Sequence, residues 1–134
     1  MTDSTQQQFL RFAAIGAAAF IVDTAALYLV RGSLGLYAGR IVSFLIAVTF
    51  TWAMNRRYTF RNAVYEPPIR QWFRFSAANG IGAAVNYATY AVLVTFVPAV
   101  AAMPVLGVAA GSIIGLGFNF IASKSWVFRR APHP

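Results

Sequence analysis

The chain lacks cysteine altogether and carries only one histidine and three acidic residues. Each shortage removes a class of chemistry. Without cysteine there is no disulfide framework, no thiol nucleophile and no thiolate metal site. His133 stands between Pro132 and Pro134 in the tail, with no second histidine to share a metal. There is no Gly-rich phosphate loop, no HExxH pair and no Ser-His-Asp set, so neither nucleotide hydrolysis nor metal chemistry can be built from this inventory. The sequence therefore predicts a protein that is not an enzyme, with no catalytic residues, no metal and no cofactor. Charge of either sign is also scarce. Only 10% of residues are charged, against about 25% in a typical soluble chain.

What is present is hydrocarbon. Hydrophobic residues make up 59% of the chain, and the mean hydropathy is +0.61. The net charge of +8 does not point to nucleic acid, because the cations stand at the ends of apolar runs. That is how Lys and Arg flank membrane spans. Four runs read as transmembrane helices, over about 9–30, 36–54, 72–97 and 105–122, each near the ~20 residues that a bilayer core requires. The first run reads as retained rather than as a signal peptide, since it has no basic leader and other spans follow. Arg31 to Gly35 reads as a tight turn, and Pro98 to Pro104 as a chargeless one. Glu66-Pro67-Pro68 ends any helix in the middle connection. Of the 11 Lys and Arg, all but Arg31 and Arg40 fall in the N-terminal segment, the middle connection or the C-terminal tail. The positive-inside rule then puts both termini in the cytoplasm. Arg40 lies close enough to the opposite interface to snorkel.

The chain also resembles itself. At an offset of 63, Arg11-Phe12 falls on Arg74-Phe75 and Asp23 on Asn86. At an offset of 68, Gly39, Ser43, Ala47, Thr51 and Asn55 fall on Gly107, Gly111, Gly115, Asn119 and Ser123. Arg56, Tyr58, Phe60 and Arg61 then fall on Lys124, Trp126, Phe128 and Arg129. The expected architecture is all-α and integral to the membrane. It is a single domain over 1–134, made of two like-oriented helical hairpins over about 9–61 and 72–129, related by an axis along the membrane normal.

Steps of four residues keep side chains on one slowly winding helical face, so the two small-residue series are stripes along which helices can approach closely. Asp23 is the only acid inside a span, and a central Asp costs about 2.5–3.5 kcal/mol to insert. It should face the interior, be paired or be protonated, and any partner must come from another helix, with Asn79 and Asn86 as candidates. Together with Asn119 they would make a polar face inside the bundle. Arg56, Arg57, Arg11, Arg74 and Lys124 lie within a turn of the spans. With Asn55 they are the candidates for a phosphate headgroup, which Arg grips in a bidentate fork and Lys as a point charge. Tyr58 and Trp126 are the candidate aromatic contacts, and Trp52 and Trp72 read as interfacial belt residues. Arg61, Arg70, Arg129 and Arg130 read as topology signals.

With these residues in hand, the chain resembles the GtrA-like family of four-span bacterial membrane proteins. The matching features are Arg11-Phe12 with Gly16, then Val22-Asp23, then Asn55-Arg56-Arg57-Tyr58-Thr59-Phe60, and finally Phe118-Asn119-Phe120 followed by Trp126-Val127-Phe128. The resemblance implies translocation of a polyprenyl-phosphate-linked sugar across the inner membrane, supplying periplasmic glycosyltransferases in polysaccharide synthesis. It departs at Ser123-Lys124, where relatives often repeat Asn-Arg, which favours Arg56 and Arg57 as the phosphate ligands. The expected partners are the sugar lipid, membrane lipids, a polytopic glycosyltransferase and, because four spans enclose little, a second copy in a homodimer. Two other readings fit the composition: an anchor that recruits a glycosyltransferase, and a small proton-coupled exporter.

Overall fold

The computed structural model describes residues 4–130, so His133 lies outside the described residues. Every described element is helical: α1 (Thr5–Met54), α2 (Pro68–Phe96), α3 (Pro98–Ala102) and α4 (Pro104–Ala122). Helix α1 starts at a capping box, in which Ser4 Oγ accepts from the Gln7 N–H and Gln7 Oε1 accepts from the Ser4 N–H. Proline opens the other three helices at the first position, where its missing N–H costs nothing and its fixed φ suits the helix.

Helix α1 is two arms joined at a break. Gly35 alone leaves helical backbone, with φ 79° and ψ 179°. A side chain there would be strained, so the break needs glycine. The turn expected over Arg31 to Gly35 is therefore narrower than its composition suggests, because Gly32 and Ser33 stay helical. Two segments result, Thr5–Gly35 and Ala38–Thr59, both long and apolar enough to cross a membrane. At 31 residues the first is roughly 46 Å long, which leaves room for tilt in a ~30 Å hydrocarbon core. Likewise the turn expected between Pro98 and Pro104 contains the short helix α3.

Both α1 and α4 end in a π turn, Asn55–Thr59 and Ser123–Val127. In each, the following N–H reaches back five residues: Phe60 N to Asn55 O at 2.9 Å and Phe128 N to Ser123 O at 2.7 Å. Backbone angles at the exits agree closely, φ −114° and ψ 52° at Phe60 against φ −107° and ψ 57° at Phe128. The two turns aim Phe60 and Phe128 inward, where they stack with centroids 4.8 Å apart. Around that stack lies the core: Phe12, Val48, Phe75, Ala78, Phe120 and Val127.

The small-residue stripes are the packing faces. Gly39, Ser43, Ala47 and Asn55 are buried and Thr51 half-buried, and the series from Gly107 to Ser123 repeats that pattern position for position. Gly39 packs on Leu27, Val30 and Arg31 of the first arm. Gly107, Gly111 and Gly115 pack on α2 so closely that a Cβ at Gly115 would stand 3.3 Å from the Gly82 carbonyl. In lipid this close approach gains dispersion contacts that larger residues would forbid.

Candidate functional site

The basic residues meet at the end of the bundle where the aromatic core sits. Lys124 Nζ donates to Thr5 Oγ1 at 2.6 Å, tying the start of α1 to the end of α4. The Val64 N–H donates to the Arg129 carbonyl at 2.7 Å, tying the middle connection to the tail. Arg31 and Arg40 lie apart from this cluster. Arg31 stands over the Tyr28 ring at 4.1 Å, and Arg40 pairs with Asp23.

Glu66 is the hub of the basic end. Its carboxylate takes Arg74 Nη1 at 3.0 and 3.1 Å, and its carbonyl takes both terminal nitrogens of Arg56 at 3.3 Å. Gln71, buried, accepts from Arg56 Nη1 at 2.8 Å and from Trp52 Nε1 at 3.1 Å. Arg74 also donates to the Trp126 carbonyl and stands over the Trp126 ring at 5.2 Å. Arg57 is exposed, with Tyr58 as its ring neighbour at 5.6 Å.

Two clefts flank Glu66. The larger, of about 420 Å³, is bordered by Pro67, Arg70, Arg74, Arg129 and Arg130. The smaller, of about 160 Å³, is bordered by Arg56, Arg61 and Gln71.

Asn55, expected among the headgroup ligands, does not reach the surface. It is fully buried, its Oδ1 accepts from Thr59 Oγ1 at 2.7 Å, and its role here is to hold the π turn closed. Its Nδ2 has no partner among the described residues, nor does Ser123 Oγ at the matching position of the other turn. Of the two tryptophans expected at the interface, Trp52 donates to buried Gln71 and Trp72 Nε1 to exposed Thr49 Oγ1 at 3.0 Å.

Deeper in the bundle, Asp23, Asn79, Asn86 and Asn119 line one cleft of about 520 Å³, with Arg40 and Ser112. The helices supply these polar groups over glycine. Asn119 Oδ1, buried and unpartnered among the described residues, fills the place where a Cβ on Gly82 would stand 1.6 Å away. Asn86 Oδ1 does the same above Gly111, at 2.5 Å. The partner of Asp23 is neither Asn79 nor Asn86. Arg40 Nη1 donates to both carboxylate oxygens at 2.8 Å, with Asp23 largely covered and Arg40 still mostly exposed. Charged side chains inside a membrane pair with one another, and Arg40 is a cation on the neighbouring arm. That pairing rule was the available signal. For Glu66 the signal was its standing as the lone acid in a basic connection. For Gln71 there was none.

Set against models of known families, the chain matches the one described as GtrA/DPMS, transmembrane domain, over residues 11–128. No curated protein matches the chain.

Proposed function

The chain belongs to the GtrA/DPMS transmembrane domain family and is embedded in a membrane; from that premise we propose that it flips a polyprenyl-monophosphate-linked sugar across the bacterial inner membrane. The product supplies periplasmic glycosyltransferases that build or modify cell-surface polysaccharide. In this reading the two arms of α1, with α2 and α4, are four spans in two hairpins related about the membrane normal. Both termini are cytoplasmic, and two copies enclose the path. The protein carries out no covalent chemistry.

The observation that carries the reading is the cleft that gathers Asp23, Asn79, Asn86 and Asn119. Amide and carboxylate groups exchange hydrogen bonds with sugar hydroxyls in a low dielectric, where each unmade bond would cost several kcal/mol. The prenyl tail stays in lipid while the headgroup crosses. Capture of the phosphate falls to Arg56 and Arg57. Arg11 adds positive charge, while Arg74 and Lys124 are already held by Glu66 and Thr5. Arg56 is aimed by Gln71 and the Glu66 carbonyl, so its fork is oriented before ligand arrives. Tyr58 and Trp126 flank the entrance, both half-exposed. With no energy-coupling motif, net flow follows consumption of the sugar on the far side.

The test is reconstitution into liposomes containing a polyprenyl-phosphate sugar, with headgroups scored as accessible or protected from an impermeant reagent. Wild type should accelerate equilibration, and Arg56→Ala with Arg57→Ala should abolish the acceleration. No acceleration by wild type, or full activity in the double variant, refutes the proposal.

A further inference from the structure

We propose that the cleft between Glu66 and the C-terminal tail is a second anion site, separate from Arg56 and Arg57, that holds a phosphate group carried by a lipid. Three independent features converge on it. Arg70 and Arg74 of α2 and Arg129 and Arg130 of the tail border one space of about 420 Å³. The N-terminus of the 29-residue helix α2, which no side chain caps, borders the same space through Pro67 and Arg70. A helix start carries about half a positive charge and favours anions. The third feature is Glu66, whose side chain is 14% exposed and whose carboxylate lies on Arg74. It occupies the position that an incoming anion would take.

The fold holds these parts in place. The Val64 N–H bond to the Arg129 carbonyl closes the cleft on one side, and Arg74 is anchored to the Trp126 carbonyl on another. Arg70 and Arg129 are exposed and carry forks suited to phosphate oxygens. Apolar side chains share the rim: Val64 and Tyr65 are exposed, and Val127 lines the wall. A phosphate attached to a hydrocarbon tail satisfies both kinds of lining, whereas free phosphate uses only one. Glu66 then acts as a built-in competitor, neutralising Arg74 until a lipid phosphate displaces it. Because Glu66 also holds Arg56 through its carbonyl, movement of its side chain on ligand entry leaves that bond available.

The experiment measures equilibrium binding to the full chain in phosphatidylcholine nanodiscs, without transport. The probes are farnesyl phosphate, phosphatidylglycerol and sodium phosphate in separate arms. Wild type should bind one or both lipid probes saturably, with sodium phosphate failing to displace them at equal concentration. Arg70→Gln with Arg129→Gln and Arg130→Gln should weaken binding by at least about tenfold, because each of the three cations adds to the attraction for anionic lipid. Glu66→Gln should tighten it, by about fivefold if the competing carboxylate is worth a typical surface charge pair. That gain separates a displaced competitor from a merely structural acid, whose loss would only weaken binding. Circular dichroism and a melting curve confirm that each variant is folded, and the surface triple variant decides the matter if Glu66→Gln is not. Unchanged affinity in the triple variant, weaker binding in folded Glu66→Gln, or equal displacement by sodium phosphate overturns the proposal.

Discussion

Phe60 and Phe128 stack face to face, with ring centroids 4.8 Å apart and planes 13° from parallel. Each also meets a second ring edge-on in its own half: Phe12 with Phe60 at 6.2 Å and 62°, Phe75 with Phe128 at 5.9 Å and 62°. The pairs stand at the offsets of 63 and 68 along the chain, so the contact between halves is made by matching residues. Aromatic pairs are worth about 0.5–1.5 kcal/mol beyond their packing. A double-mutant cycle with Phe60→Leu and Phe128→Leu should therefore return a coupling energy in that range, measured by unfolding in detergent micelles. A cycle on Phe60 and the distant Phe96 should return none.

What was legible in the sequence is what depends on one helix at a time. Apolar runs placed the helices, and the four-residue series placed the stripes from Gly39 to Asn55 and Gly107 to Ser123, now seen with one burial pattern. The π turns were invisible because an extra residue in a turn leaves no mark in Asn55-Arg56-Arg57-Tyr58-Thr59. The helix through Gly32 and Ser33 was misread because turn-forming residues also tolerate helical backbone when neighbours extend it. Pairings between elements were least legible. That Arg40 meets Asp23, or that Gln71 meets Arg56, depends on how the helices are set against one another, which periodicity within a single helix does not report.

The Asp23 and Arg40 pair ties the two arms of α1 together beside the polar cleft. Removing one partner of a fully buried pair costs about 3–5 kcal/mol; with Arg40 59% exposed, Arg40→Gln should cost less, roughly 1–3 kcal/mol. Asp23→Asn should be the milder change, since an uncharged amide is cheaper to leave in lipid than a carboxylate. The double variant should recover most of the loss in Arg40→Gln. Melting curves in one detergent decide the order, and a double variant weaker than Arg40→Gln alone would contradict the pairing.

Gly82 and Asn119 form a size-matched contact between α2 and α4. A methyl on Gly82 would overlap Asn119 Oδ1 at 1.6 Å, so Gly82→Ala must expel that side chain or separate the helices. Overpacking of this kind costs about 1–3 kcal/mol. Asn119→Ala alone should be mild for stability because its Oδ1 has no partner among the described residues to lose. Gly82→Ala with Asn119→Ala should regain most of the stability lost in Gly82→Ala, while sugar-lipid transport should remain impaired. Recovery of transport in the double variant would show that the Asn119 amide is dispensable.

Gln71 separates holding Arg56 in place from leaving it charged. Its buried Oε1 accepts from both Arg56 and Trp52; Gln71→Leu would strand the Trp52 donor, at about 1–3 kcal/mol for a buried donor left unmade, and leave Arg56 held by the Glu66 carbonyl alone. Gln71→Glu keeps the acceptor and the shape but adds a carboxylate against the guanidinium. Stability should hold in that variant, because the Arg56 bond gains charge assistance. Capture of a phosphate should nonetheless weaken, since Arg56 is then neutralised by an internal anion. In the liposome assay, Gln71→Glu should raise the sugar-lipid concentration needed for half-maximal flipping more than it lowers the maximal rate. A purely structural role for Gln71 predicts wild-type kinetics in Gln71→Glu, and that result would remove Arg56 from the capture step.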